Sequence, residues 1–435
     1  MRILFLGSDD FSTFILKTIL RFPKLKVDVL GPLVENTKCS NKPVRTLVVP
    51  KIVEYSNKNN INCSQDINTY KASITNGKYD MLITASYSAF IHKSVINKFP
   101  PNRCINIHPS LLPYYKGAAP IQRTLLDNAK YTGVTIQTLH PEKFDHGKIL
   151  IQSSPILTRS LYEDIEKPIA WESVYKKEGS LLRNNNFLGE DDIAKRLQPN
   201  DDKTGVHFNE KYSVLRNSLT IVATKLVHDL FTDDNYMHIE PCENNKLLTG
   251  EILDYRMMSP KINILDFDIK WMSQTAIDVC YLSKITDEKI YTYFKRNCDK
   301  GKQPWVPEKL FLSDLEILNN YNPVNKNLEV GAFEIEDGKL IIKCKDNTYI
   351  KCGKVRPADK PRFVSIEKFE KLIKKHYKQD TLKFDTFDEI IHEYKTLKRT
   401  ESGVNVHVPV VEGMIKLKSS LKTKGKVMKL SIDEL

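Results

Sequence analysis

Cys104-Ile105-Asn106-Ile107-His108-Pro109-Ser110-Leu111-Leu112-Pro113 is an apolar run that turns polar on alternate residues and then stops at proline. It reads as a buried strand running into a loop. Asn106 and His108 stand two apart, so strand alternation puts both side chains on one face. Three earlier runs have the same apolar character, at residues 3–7, 27–31 and 81–85, with helical stretches between most of them at 14–21, 50–57 and 91–98. Strands alternating with helices predict a doubly wound, mainly parallel α/β sheet. Sites in such sheets lie at the carboxyl ends of the strands, and that is where Asn106 and His108 fall. After the first strand, Asp9, Asp10 or Ser12 can cap a helix that begins near Thr13. Gly7 stands alone, outside any G-x-G-x-x-G spacing, which disfavours a nicotinamide cofactor.

Downstream of Pro113 come Gly117-Ala118-Ala119-Pro120-Ile121-Gln122, Thr132-Gly133-Val134-Thr135 and Asp145-His146-Gly147. This whole segment resembles the folate-dependent formyltransferases. Its Ser-Leu-Leu-Pro and Gly-Ala-Ala-Pro-Ile-Gln wording is most similar to the branch of that family that acts on methionyl-tRNA. The resemblance implies a Rossmann-like formyltransferase domain followed by a small C-terminal β-barrel of the OB type.

The residue types suit that chemistry. Formyl transfer needs a neutral amine to attack a formamide carbonyl, an oxyanion to be stabilised, and protons to pass from the attacking nitrogen to the leaving one. The Asn106 amide donates to an oxyanion without changing charge, a protonated His108 adds a charged donor, and Asp145 holds the imidazolium or relays a proton through water. The resemblance implies the same three roles. His140 and His146 flank Asp145, yet with His108 they fit no standard zinc spacing, so no metal is expected.

The resemblance also places folate along Ser110, Leu111, Leu112 and Pro113 and beside Tyr87 and Ser88. Plain core packing is the alternative reading of the two leucines. Ser88 departs from the family, where a glycine commonly follows the tyrosine. For tRNA, the family uses a basic loop after the second strand. Here that loop contains Lys42 and Arg45 and is shorter and less basic, while Tyr114-Tyr115-Lys116 replaces a stretch that more often bears arginine.

Along the 435 residues, the catalytic domain is expected at 1–231, with a polar inserted loop at 160–209. A linker follows at 232–265, a tRNA-binding barrel at 266–376 and a basic tail at 377–435. Short strand-like runs at 289–293, 310–318, 332–335, 339–344 and 349–354, with a hairpin signal at Asp337-Gly338, suggest the barrel. Lys339, Lys343 and Lys345 share one strand parity, and with Lys351 and Lys354 they offer a face for tRNA phosphates or an ordinary solvated surface. Phe267-Asp268-Ile269-Lys270-Trp271 is similar to the family's Ile-Asp-Trp.

Net charge is +12 with a pI near 9.0, which favours an anionic partner such as nucleic acid. Eight cysteines without a C-x-x-C pair suggest a reducing compartment. No run of eighteen apolar residues predicts a membrane span. The strand pattern at residues 2–7 is expected to leave no room for a targeting peptide. The resemblance implies transfer of the formyl group of 10-formyltetrahydrofolate to the α-amine of methionine on charged initiator tRNA, by a monomer in the mitochondrial matrix. A glycinamide ribonucleotide formyltransferase, a sugar-nucleotide formyltransferase or the hydrolase domain of a folate dehydrogenase, and a catalytically idle RNA-binding protein on the same scaffold are the alternatives.

Overall fold

The computed structural model describes residues 1–32, 34–37, 45–87, 91–161, 210–250, 252–297, 305–319, 321–323, 328–376, 382–400, 411 and 414–416. Two compact units divide the described chain between Ile262 and Asn263. The expected loop at 160–209 lies outside the described residues from 162 onward, as do Lys42 and Ser88.

The first unit is built on β1 (Arg2–Gly7), β2 (Lys26–Leu30), β3 (Val34–Thr37), β4 (Arg45–Val48), β5 (Cys63–Ser64), β6 (Met81–Ala85), β7 (Cys104–His108), β8 (Tyr131–Thr132), β9 (Thr135–Thr138), β10 (Ile149–Gln152) and β11 (Ile156–Leu157). Its main sheet has the order β10-β9-β7-β6-β1-β2-β5. The five strands β1, β2, β5, β6 and β7 run parallel, including the four read from the sequence. Ile3, Leu4, Phe5, Leu82 and Ile83 are fully buried, as expected for strands covered on both faces.

The helix Asp10–Ile19 begins three residues before the predicted Thr13. Asp9 is its cap, with the side chain accepting from the Ser12 N–H at 3.1 Å. The predicted helix at 91–98 shortens to Lys93–Ile96. The helix Glu210–Phe231 lays His228 and Phe231 against Phe22, with ring centroids 5.4 and 5.9 Å apart.

Three strands of this sheet escaped the sequence reading: β5, β9 and β10. β9 runs antiparallel to β7 and β10 antiparallel to β9, turning the chain back so that the connection between them carries Asp145 to the carboxyl end of β7. Thr135-Ile136-Gln137-Thr138 is short and mostly polar, too weak a pattern to announce a strand.

The second unit is an antiparallel sheet of β12 (Tyr291–Asn297), β13 (Trp305–Leu318), β14 (Ala332–Glu336), β15 (Lys339–Lys343), β16 (Tyr349–Pro357), β17 (Val364–Ser365) and β18 (Leu382–Lys383). The order is β12-β13-β16-β15-β14-β18, with β17 on β16. Beyond β18, Asp385 exchanges both backbone hydrogen bonds with Tyr293 of β12, at 2.9 and 2.8 Å, so the sheet curls into a nearly closed barrel. The closing strand therefore lies within the residues read as a tail. Asp337 and Gly338 both have positive φ, 47° and 68°, as the tight β14–β15 hairpin requires.

Inside the barrel, Phe384 stacks on Trp271 and Phe333, and the Trp271 indole donates to Thr292 at 3.0 Å. Asp268 is buried, paired with Lys270, and accepts the Phe387 N–H at the start of the helix Phe387–Thr400. A carboxylate there meets the helix's unpaired first donors.

Candidate active site

Asn106 sits near the end of β7 beside Thr84 of β6, its in-register neighbour. The Thr84 hydroxyl donates to Asn106 Oδ1 at 2.8 Å. Nδ2 faces the other way, toward Asp145, whose carboxylate only accepts and so fixes which end of the amide is which. One of its two N–H groups goes to Asp145 Oδ1 at 3.0 Å, which leaves the second for a ligand.

Asp145 gathers the site. Oδ1 accepts from Asn106 and from Gln137 Nε2 at 2.7 Å, and lies 3.5 Å from His108 Nδ1; Oδ2 accepts the Gly117 N–H at 2.9 Å. Only 8% of its side chain is exposed. Its backbone is left-handed, φ 55°, and Asn244 Nδ2 clamps the carbonyls of both Asp145 and Gly147 at 3.0 Å. Gly147 is dictated by space, since a Cβ there would lie 1.6 Å from the Thr138 carbonyl oxygen.

His108 is buried, and Nε2 lies 2.9 Å from the Tyr115 carbonyl oxygen. A carbonyl only accepts, so Nε2 carries a proton and the neutral ring has its lone pair on Nδ1, toward Asp145. Both ring nitrogens thus face groups of the protein, and in this arrangement Asn106 keeps an N–H not directed at Asp145. Lys116 is buried nearby. Burial lowers its ammonium pKa, attraction to Asp145 raises it again, and Lys143 pushes it down.

The proposed folate segment is packed from within. The Ser110 hydroxyl donates to the Tyr114 carbonyl at 2.8 Å, and the Leu112 N–H donates to Thr135 Oγ1 at 3.1 Å. The Leu112 carbonyl accepts from Gln152 at 2.8 Å. Leu111 packs with Tyr114, Tyr115, Ala129 and Leu247, and Leu112 and Pro113 are buried. Tyr87 lies past the end of β6, where burial pushes its hydroxyl up to about 12.

Arg45 falls on β4. Lys343 closes β15, and its ammonium donates to the Leu328 carbonyl at 2.8 Å. Lys345 is not on the strand as its parity suggested. It begins the 3-10 turn Lys345–Asn347, because the chain breaks from the ladder after Lys343. Lys351 and Lys354 pair with Glu316 and Asp314.

Sequence reasoning missed Thr84, Gln137, Asn244 and the Tyr115 carbonyl. Thr84 had a signal, since it is the one polar residue of an otherwise apolar strand next to the one bearing Asn106. Asn244 had none. Among the described residues no group of three His, Cys, Asp or Glu side chains could hold a metal, the described cysteines are free, and no helix is long and apolar enough to cross a membrane.

Residues 1–172 match the family model described as formyl transferase. The mitochondrial methionyl-tRNA formyltransferase of Saccharomyces cerevisiae is 32% identical over 178 residues, covering 36% of this chain and 44% of that protein. The methionyl-tRNA formyltransferase of Thermotoga neapolitana is 36% identical over 156 residues, covering 35% and 48%. The chain spans about half the length of the curated relatives it matches. A sugar 3N-formyl transferase crystallised with dTDP and 5-N-formyl-THF aligns over 83% of this chain and 98% of its own at 15% identity, TM-score 0.42. Asn106, His108 and Asp145 all lie within the segment that matches the formyl transferase model.

Proposed function

We propose that this chain transfers the formyl group of 10-formyltetrahydrofolate to the α-amine of methionine esterified to initiator tRNA. The observation that carries the reading is the Asn106–Asp145–His108 cluster, inside a segment 32% identical to a methionyl-tRNA formyltransferase.

The co-substrate supplies the formyl carbonyl. The amine nitrogen forms a bond to the formyl carbon, and the carbon's bond to the folate nitrogen breaks. The free Asn106 N–H donates to the oxyanion formed in between. Asp145 takes a proton from the attacking ammonium nitrogen and delivers one to the leaving nitrogen, directly or through water. His108 Nδ1, at 3.5 Å, is too far for a tight hydrogen bond in this state and close enough to stabilise the carboxylate when protonated.

Folate is proposed to lie along Ser110–Pro113 and beside Tyr87 and Ser88. The polar backbone groups of Leu112 are spent internally, so apolar surface and the Tyr87 ring would form its wall. Lys42, Arg45, Lys343 and Lys345 are proposed as phosphate contacts, in keeping with the net charge of +12. Action as a monomer in the mitochondrial matrix is proposed with them, the location supported by the name of the yeast relative.

The decisive assay gives purified protein 10-formyltetrahydrofolate with charged initiator tRNA or with glycinamide ribonucleotide. Formylmethionyl-tRNA as the product supports the reading. Formylated glycinamide ribonucleotide alone would replace it with the small-molecule alternative.

A further inference from the structure

The catalytic groups lean on residues that are remote in sequence. Tyr115, Lys116 and Gly117 form a strap that touches both His108, through the Tyr115 carbonyl, and Asp145, through the Gly117 N–H. Tyr115 is left-handed, φ 58°, a conformation a bulky residue holds only when its surroundings enforce it. What enforces it is the stretch from Arg256 to Lys261. The Tyr115 and Lys116 N–H groups donate to the carbonyls of Arg256 and Met257 at 3.1 and 2.8 Å, and the Ser259 N–H donates to Lys116 at 2.6 Å. Gly117, φ 119°, passes so close that a Cβ would lie 3.0 Å from the Ser259 carbonyl oxygen. The stretch is itself fixed at both ends: Arg256 pairs with Asp127, and buried Arg123 donates to the carbonyls of Pro260 and Lys261 at 3.0 and 3.1 Å.

At the centre stands Ser259, fully buried, its hydroxyl donating to the Tyr115 carbonyl at 2.8 Å. That oxygen is the one His108 Nε2 approaches at 2.9 Å. We propose that Ser259 is a positioning residue for formyl transfer. Its hydroxyl pins the Tyr115 carbonyl where the carbonyl fixes His108 as the Nε2–H tautomer with Nδ1 toward Asp145. The hydroxyl and the imidazole share one acceptor, so without Ser259 the Tyr115 carbonyl loses its second donor and its hold on the ring loosens. Ser259 does not itself meet the reacting atoms.

The inference rests on the formyl transfer reading, and its test separates the two. Nitrogen-15 spectra of imidazole-labelled parent protein should show His108 protonated at Nε2 and unprotonated at Nδ1 when neutral; the opposite tautomer would overturn the proposal with no variant required. Ser259→Ala should lower kcat about tenfold, the worth of one hydrogen bond. It should also leave both Michaelis constants within about twofold and broaden or shift the His108 signals. Ser259→Thr, which keeps the hydroxyl, should restore the parent's His108 signals. Unchanged kcat in Ser259→Ala, or a kcat loss with unmoved His108 signals, would remove Ser259 from this role. Parent protein that formylates no acceptor would overturn the activity and leave the tautomer result standing.

Discussion

Thr84 and Asn106 lie side by side on parallel strands, and the threonine hydroxyl donates to the asparagine's amide oxygen at 2.8 Å. The contact orients the amide before any substrate arrives, so its N–H₂ end is already turned toward Asp145. Thr84→Val keeps the shape of the side chain and removes the donor. It should lower kcat about tenfold, as the loss of one hydrogen bond predicts, while Thr84→Ser stays near the parent. Equal activity in the valine and serine variants would show that the amide needs no such guide.

Asn106→Ala removes the free oxyanion donor and should lower turnover about 100- to 1000-fold with folding retained. Asp145→Asn keeps size but loses the charge facing His108 and the proton acceptor, so the loss should appear in kcat. A rise confined to the Michaelis constant for tRNA would make Asp145 a binding residue instead.

Gly147→Ala puts a methyl group where the Thr138 carbonyl stands, and neither backbone can yield without breaking the β9–β10 turn. Overpacking of this kind costs about 1–3 kcal/mol. A lower thermal midpoint together with weakened activity is the expected outcome, whereas a parent-like midpoint would mean the turn can open.

In the second unit, burial pushes the Asp385 carboxyl up to about 6, with Lys295 pulling it part of the way back. The folded state therefore binds this proton more tightly than the unfolded chain, and the group's penalty on stability is present above about pH 6. It is relieved as pH falls from there toward the unfolded value. Asp385→Asn should be more stable than the parent by about 1–2 kcal/mol at pH 7.5, with the gap closing by about pH 4. Denaturant midpoints across that range give the answer, and a gap independent of pH would refute it.

Lys343→Gln with Lys345→Gln tests the proposed tRNA face of the barrel. The expected result is a higher tRNA Michaelis constant, a shallower salt dependence and unchanged folate binding. Because Lys343 also holds the Leu328 carbonyl, the thermal midpoint must be read alongside.

The central strands and the pairing of Asn106 with His108 were legible because each rests on a local pattern: apolar runs for β1, β2, β6 and β7, and an Asn-x-His spacing that strand alternation converts directly into geometry. What remained hidden depends on distance along the chain. Gln137 belongs to a strand too short and polar to show a period. Asn244 and Ser259 sit in a stretch read as linker, where a single polar residue looks the same whether it faces water or clamps a catalytic loop. The barrel's last strand was read as tail for a similar reason, because Leu382-Lys383-Phe384-Asp385 has no alternation long enough to stand out.

That last strand sets a timetable for the second unit. Thr292 and Tyr293 are early residues of the barrel, and the Asp385 carbonyl that Thr292 binds comes 93 residues later. The loop that must close is long, its entropy is lost before most of the reward arrives, and contacts of such separation are slow to form. During synthesis the N-terminal strands β1, β2, β6 and β7 can pair while the rest of the chain is still being made. The barrel stays open-edged until Phe384 and Asp385 emerge. A chain stopped at residue 376 would present unpaired edges on β12 and β14, and such edges invite strands from other molecules.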